Sequence, residues 1–312
     1  MTNEANTKRY SISVAIPSWN TKELTRACLQ SMLDGDHCCD IEIIVVDNGS
    51  HDGSPDMIEA EFPQVKLVRN SRNEYFSKAS NQGAAAATAP FLCLLNSDTL
   101  VPERSLHKMI DFLVANPHYG AVAPRLANRD GSVQPICRRF PSLFEVIVDQ
   151  FPLDNCERAK RYRAKIAMTD FDHLSSCDVE QPPGACLVMR TADFRNIGGF
   201  DENLPLFYSD VDICKRIWQS GRPIRFLAEA HVYHVGSASV VRHPLWRAEY
   251  LRDQVRYFRK TKGLLASLFA KSVIVTSAVI VAGRTALGRQ PLPERRQLLS
   301  QILRSTRTAI GF

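Results

Sequence analysis

The sequence lacks several patterns that would commit it early to a function class. It has nine cysteines at irregular spacing but no C-x-x-C pair, so neither a zinc ribbon nor a thioredoxin-type redox site is expected. It has no G-x-G-x-x-G and no G-x-x-x-x-G-K followed by Ser or Thr, which sets aside dinucleotide and P-loop chemistry. Met1 to Arg9 is polar and has no apolar h-region, so no secretory signal is expected. No internal repeat or low-complexity tract stands out. Acidic residues nearly vanish near the end: residues 241–312 hold 3, against 14 basic ones. What is present is an ordinary globular composition, 45% hydrophobic and 23% charged, which excludes disordered and fibrous classes. The 312 residues allow one large domain or two small ones with a sizeable core. Cysteines inside apolar runs, such as Cys93 in Phe91 to Leu95, read as small buried hydrophobes of a reduced, cytoplasmic protein.

The net charge of +6 is a sum of unlike parts, −5 over residues 1–240 and +11 over residues 241–312. The first part alternates strand and helix signals. Ile12 to Ile16, Ile41 to Val46, Val65 to Arg69 and Phe91 to Leu95 are short apolar runs that read as buried strands. Between and after them, Thr21 to Leu33 (with Thr21 as a candidate N-cap), Asp56 to Glu61, residues 78–88 and Glu103 to Ala115 read as helices. This alternation predicts an α/β fold, a mostly parallel sheet with helices on both faces. Regularity fades over residues 120–180, where Ala121 to Pro124 reads as a strand and Cys156 to Lys165 as a charged stretch. Beyond it come a strand over Ala185 to Arg190, a short helix over Thr191 to Ile197, a helix over Val211 to Gln219 and an extended Ile224 to Phe226.

In open α/β sheets, ligands bind beyond the carboxyl ends of strands. Pro17 to Asn20, Asp47 to Ser50 and Asn96 to Asp98 all fall there. Asp98 is either a turn-stabilising residue or a ligand to a hard divalent cation shared with substrate phosphates. Asp210 and Asp212 sit two apart at a helix start. Either one caps while the other faces a pocket as a general base, or both favour the positive end of the helix dipole. His231 and His234 are an odd spacing apart, hence on opposite faces of an extended segment, and do not form a two-histidine metal site. One of them either joins Asp98 on a metal or phosphate or is a structural hydrogen-bonder.

With these residues in view, the chain resembles family 2 glycosyltransferases of the GT-A fold, in particular the bacterial rhamnosyltransferase-like branch. The matching pieces are Ile12 to Asn20, Ile44 to Ser50, Asn73, Ala79 to Gly83, Leu94 to Thr99, Gly120 to Pro124 with Asp130-Gly131, Arg139 to Ser142, Pro183 to Ala185, Gly198 to Glu202, Ser209 to Cys214 and His234 to Ser237. They occur in the family's order over residues 11–240. The resemblance implies inverting transfer of a sugar from a nucleotide-diphosphate sugar, and the branch it resembles implies rhamnose. It assigns Asp47, with Asn48, to the nucleotide base, and Asp98 to Mg²⁺ or Mn²⁺ as the last Asp of the family's D-x-D element. It makes Asp210 the catalytic base, places His234 near the metal and phosphates, and puts Gly184 and Ala185 on the acceptor side. Pro17, Asn20, Asn73, Asn81, Asn96 and Asp212 fall among its substrate-binding positions. The chain departs from the pattern at three points: Asn96 stands at the first position of D-x-D, Ser209 replaces the Glu before Asp210, and Asn73-Glu74-Tyr75-Phe76 replaces Asn-x-Gly-Phe.

The resemblance fades after residue 240. Residues 246–262 are basic and helical in pattern, residues 264–282 are apolar or small apart from Lys271, and residues 284–312 are basic again. Three readings fit this region: helices lying on a membrane, a soluble helix packed on the body, or a true span. The expectation is a catalytic domain over residues 1–240 and a helical membrane-associating region over residues 241–312, peripheral on the cytoplasmic face of an anionic membrane. The expected acceptor is a glycan or polyprenyl-linked molecule of cell-surface polysaccharide synthesis; nucleic acid is not an expected partner. The alternative is a catalytically impaired scaffold that binds sugar nucleotide or glycan. A nucleotidyltransferase is a distant third, since Pro17 to Asn20 is not a Gly-rich basic loop.

Overall fold

In the computed structural model, residues 10–182, 184–236, 246–287 and 292–311 are described. Met1 to Arg9, Pro183 and Ser237, which carry parts of the reading above, lie outside the described residues. The apolar runs form strands β1 (Tyr10–Ser18), β2 (Cys39–Asp47), β3 (Lys66–Arg69) and β4 (Phe91–Leu95), with helices α1 (Lys22–Leu33), α2 (Ser54–Glu61) and α3 (Tyr75–Ala86) between them. A two-residue β5 (Thr99–Leu100), α4 (Ser105–Ala115) and β6 (Ala121–Ala127) follow. Then come α5 (Leu143–Gln150), α6 (Glu157–Ile166), β7 (Cys177–Asp178), β8 (Cys186–Arg190), α7 (Thr191–Asn196), α8 (Ser209–Gln219) and β9 (Ile224–His234). Three helices close the chain: α9 (Trp246–Lys262), α10 (Leu264–Leu287) and α11 (Leu292–Ile310).

The strands form one sheet in the order β3-β2-β1-β4-β8-β6-β9-β5, with β7 pairing β9. The first four are parallel. β8 runs antiparallel to β4 and β6, and β6 and β9 are parallel. Strand side chains alternate between faces, so each buried strand feeds two cores. Ile12, Val14, Ile16, Cys93, Leu95 and Val188 pack with Leu29, Met57, Leu106 and Met109 of α1, α2 and α4. Ala15, Ile44, Leu92, Leu94 and Met189 pack on the other face with Ala84, Phe194, Ile213 and Ile217 of α3, α7 and α8. A third cluster joins Val146 of α5 and Val211 of α8 to Leu251, Tyr257 and Phe258 of α9 and to Ala270 and Ile274 of α10.

The structure corrects several expectations. Thr21 does occupy the N-cap position of α1, but its side chain makes no capping bond; its hydroxyl joins those of Ser18, Thr25 and Ser97. The Ala-rich helix starts earlier, at Tyr75, because Asn73 Oδ1 accepts the Tyr75 N–H and turns the chain into it. The charged stretch from Cys156 is helix α6, which buries Ala159 and Ile166. The extended segment from Ile224 continues to His234, through a register shift opposite Pro124 and Arg125.

Candidate active site at the strand ends

The three polar turns predicted to converge do so, and they are tied by hydrogen bonds. The Asn48 N–H donates to the Ser18 carbonyl at 2.8 Å, and the Asn20 N–H donates to Ser50 Oγ at 2.9 Å. Thr21 Oγ1 and Ser97 Oγ, 3.0 Å apart, join the end of β1 to the turn after β4. Pro17 sits past Ala15, the last β1 residue registered with β4, so its missing N–H costs no ladder bond on that side. Asn20 Oδ1 accepts the His51 N–H at 2.8 Å.

Asp47 is buried at the end of β2. Its Oδ2 accepts the N–H groups of Gly49 at 3.1 Å and Ser50 at 3.0 Å, while Oδ1 is buried with no partner. An unsatisfied buried carboxylate oxygen is costly and marks a place where a ligand donor fits. Gly49 has φ +71, and a Cβ there would lie 2.8 Å from the Arg72 backbone, so the turn requires glycine. Asn48, beside Asp47, uses its amide on the neighbouring loop: Nδ2 donates to the Tyr75 carbonyl at 3.1 Å and Oδ1 accepts from Asn70 Nδ2 at 2.9 Å.

Asp98 and His234 are 136 positions apart in sequence and meet because β5 pairs β9, Thr99 opposite His234. His234 Nε2 lies 3.5 Å from Asp98 Oδ1, and both side chains are largely buried. Burial pushes the Asp98 carboxyl up; the His234 contact and backbone N–H groups more than offset this and hold it below its ordinary value. Gln134 positions the imidazole, with Oε1 3.1 Å from Nδ1 and Nε2 donating to the His234 carbonyl at 2.7 Å. His231 instead lies near Arg125 and Lys108. Among the described residues no group of three His, Cys, Asp or Glu is placed to hold a metal. One carboxylate and one imidazole suit an ion that takes its remaining ligands from a diphosphate and water, which is how Mg²⁺ is commonly held.

Asp210 lies in the first turn of α8, behind the N-cap residue Tyr208, so neither it nor Asp212 is the cap. The Asp210 carboxylate is deep in the protein yet keeps an opening to solvent. Oδ1 accepts the Val211 N–H at 2.9 Å and Oδ2 accepts Gln181 Nε2 at 3.1 Å. Burial raises its carboxyl above the ordinary value, against these two hydrogen bonds and the charge of Arg138. Gly184 presses on it: a Cβ there would stand 3.1 Å from Asp210 Cβ and 3.3 Å from Oδ2. The carbonyl of the next residue, Ala185, accepts the Asn96 N–H at 2.9 Å. Asp98, Asn96, Ala185, Gly184 and Asp210 therefore form one connected constellation across the strand ends.

Asn81 and Asp212 are spent elsewhere. Asn81 clamps the turn after α7, donating to the Phe200 carbonyl at 3.0 Å and accepting its N–H at 2.9 Å. Asp212 is buried between Arg216 Nε at 2.8 Å and Lys260 Nζ at 2.8 Å. Sequence reasoning missed Gln134, Gln181 and Arg138. The first two are single polar residues in irregular segments with no pattern to mark them. Arg138 adjoins the quoted Arg139 to Ser142 piece, which was the one available pointer.

Comparison with known proteins fits this geometry. The sequence profile of Glycosyl transferase family 2 matches residues 13–177, more than half of the chain. An N-acetylglucosaminyl-diphospho-decaprenol L-rhamnosyltransferase of Mycobacterium tuberculosis is 28% identical over 221 residues, covering 65% of this chain and 69% of the relative. Mannosyltransferase PcManGT from Pyrobaculum calidifontis, solved with GDP-Man and Mn²⁺, superposes with a TM-score of 0.54 at 17% identity, over 97% of this chain and 87% of that one. GalNAc-T7, solved with UDP, GalNAc and Mn²⁺, gives 0.56 at 17% identity, over 81% of this chain and 48% of that one. The chain has the GT-A fold of these structures.

Proposed function

The chain belongs to glycosyl transferase family 2, and from that premise we propose that it is an inverting transferase in cell-surface polysaccharide synthesis. The donor is a nucleotide-diphosphate sugar, with a rhamnosyl donor favoured by the mycobacterial relative. The acceptor is a glycan or polyprenyl-linked hydroxyl. The carrying observation is Asp210, a carboxylate held by Gln181 and its own helix, raised by burial, and left open to solvent beside the Gly184 loop. It takes the proton of the acceptor hydroxyl as that oxygen bonds to the anomeric carbon and the bond to the diphosphate breaks. Attack from the face opposite the leaving group needs one base and no enzyme nucleophile. Asp47 Oδ1, buried and without a partner, would accept an N–H of the nucleotide base. Asp98 and His234 would hold Mg²⁺ or Mn²⁺. When bound, the cation supplies Lewis-acid stabilisation of the departing diphosphate. Pro17, Asn20, Asn48, Asn73 and Asn96 build the donor-side walls.

Residues 1–240 form the catalytic part on this reading. Residues 241–312 associate with the cytoplasmic face of the cell membrane, where a lipid-linked acceptor is found. Ser209 favours a second reading, a scaffold that binds sugar nucleotide or glycan without turnover. Where the family has an acidic residue, this hydroxyl is buried and donates to the Leu206 carbonyl at 3.4 Å. Donor hydrolysis with added Mn²⁺ separates the two readings, since a binder releases no nucleotide diphosphate. Asp210→Asn tests the base assignment: full turnover in that variant removes it.

A further inference from the structure

Helix α10 is built inside out for a helix on a soluble body. Its inward positions are mostly small, with Ala266, Ser267, Ala270 and Ser277 buried alongside Ile274. Its outward positions are mostly large: Leu265, Leu268, Phe269, Val275, Val279 and Ile280 are exposed, Leu265 to 81%, with the small polar Ser272 and Thr276 among them. The helical period puts these six on one side, opposite the inward set. Isolated exposed apolar side chains are ordinary, whereas a contiguous row several turns long is not. The row contains no charge. Lys271 is turned away from it and donates to the Ile310 carbonyl at the end of α11, at 2.7 Å. Exposed Arg259 and Lys262 stand before the row and exposed Arg284 after it.

The opposite side of α10 is committed to protein. Ser277 Oγ donates to the Gln150 carbonyl of α5 at 2.9 Å, and Ala266, Ala270 and Ile274 share a core with Tyr257 and Phe258 of α9. Leu264–Leu287 is long and apolar enough to cross a membrane. Crossing would strip these contacts and leave the basic α9 and α11 behind without their shared core.

We propose that the outward face of α10 docks on a bilayer with anionic headgroups. The helix lies in the plane of the interface, with the six large side chains in the headgroup–acyl boundary and Arg259, Lys262 and Arg284 on lipid phosphates. Charge argues for this occupant: residues 241–312 carry 14 basic and 3 acidic side chains. The inference rests on the membrane-associating reading of this region and adds the face and the mode of insertion.

The test is flotation of the full chain with phosphatidylcholine vesicles, with and without phosphatidylglycerol. The full chain is expected to float with the anionic vesicles and to be released by alkaline wash. Leu268→Glu/Val275→Glu/Val279→Glu is expected to lower the floated fraction by roughly tenfold while circular dichroism is unchanged. Phe269→Trp, which keeps the surface apolar, should show a larger blue shift of emission than wild type on adding anionic vesicles. No flotation of the wild type would remove the membrane reading itself. Flotation of the triple variant at the wild-type level would remove the assignment to this face. So would a Phe269→Trp protein that floats with no blue shift beyond that of wild type. Resistance to alkaline wash would mean a span. A dimer in solution that the triple variant dissolves would mean that a second copy covers the row.

Discussion

Asp210 concentrates the chemical argument in one carboxylate. Its replacement by Asn is expected to lower kcat by about 10²–10⁴-fold with little change in donor KM, read in a nucleotide-diphosphate release assay. The same variant has a predictable stability profile. A carboxyl raised by burial contributes stability that is full below its unfolded value and is lost as pH rises through the folded value. Asp210→Asn should therefore melt no lower than wild type at pH 7, and any advantage should shrink as pH falls through the raised value. Gln181 is a positioning residue for this base, itself fixed by paired backbone hydrogen bonds with Arg138 at 2.8 and 3.0 Å. Gln181→Leu removes a donor that favours the ionised form, so the acid limb of kcat/KM against pH should move to higher pH. A role confined to folding would leave that limb in place. Gly184→Ala puts a methyl against Asp210 and should cost on the order of 10–100-fold in kcat through misplacement of the base. The sequence pointed to Asp98, Asp210 and His234 by pattern and resemblance. It could not reveal that Asn81 and Asp212 are absorbed by local structure, because only the fold brings Phe200 and Lys260 to them.

Among the elements, the parallel half was legible because each strand is a short apolar run with a polar turn after it. β4 was read to the residue, and the ends of β1, β2 and α3 shifted by one to three positions. The hidden elements have physical reasons. α6 is mostly charged and buries only two of its side chains, so it carries no apolar stripe. β5 and β7 are two residues each, shorter than any periodicity. β9 was truncated because Leu227, buried beside Phe226, breaks its alternation just where the register against β6 shifts. The sequence change at residue 240 also hid how tightly α9 joins α8: Tyr257 and Phe258 are fully buried in one cluster with Tyr208 and Val211. Phe258→Ala is expected to destabilise the whole protein by about 3–5 kcal/mol in denaturant titration, in a single transition that includes the body. A separate early transition of the C-terminal helices would contradict that coupling.

At the scale of the molecule, charge and shape act together. The acidic net of residues 1–240 and the basic net of residues 241–312 divide the charge along the chain, and on the membrane reading proposed above the basic helices are the part that meets an anionic surface. On the proposed function, this chain transfers a sugar with Asp210 as its base. The most direct measurement is nucleotide-diphosphate release from a panel of nucleotide sugars with Mn²⁺ and a membrane-extracted acceptor, wild type beside Asp210→Asn. Turnover of one donor by wild type and a loss of about 10²–10⁴-fold in the variant are expected. Equal turnover by both proteins would contradict that role for Asp210.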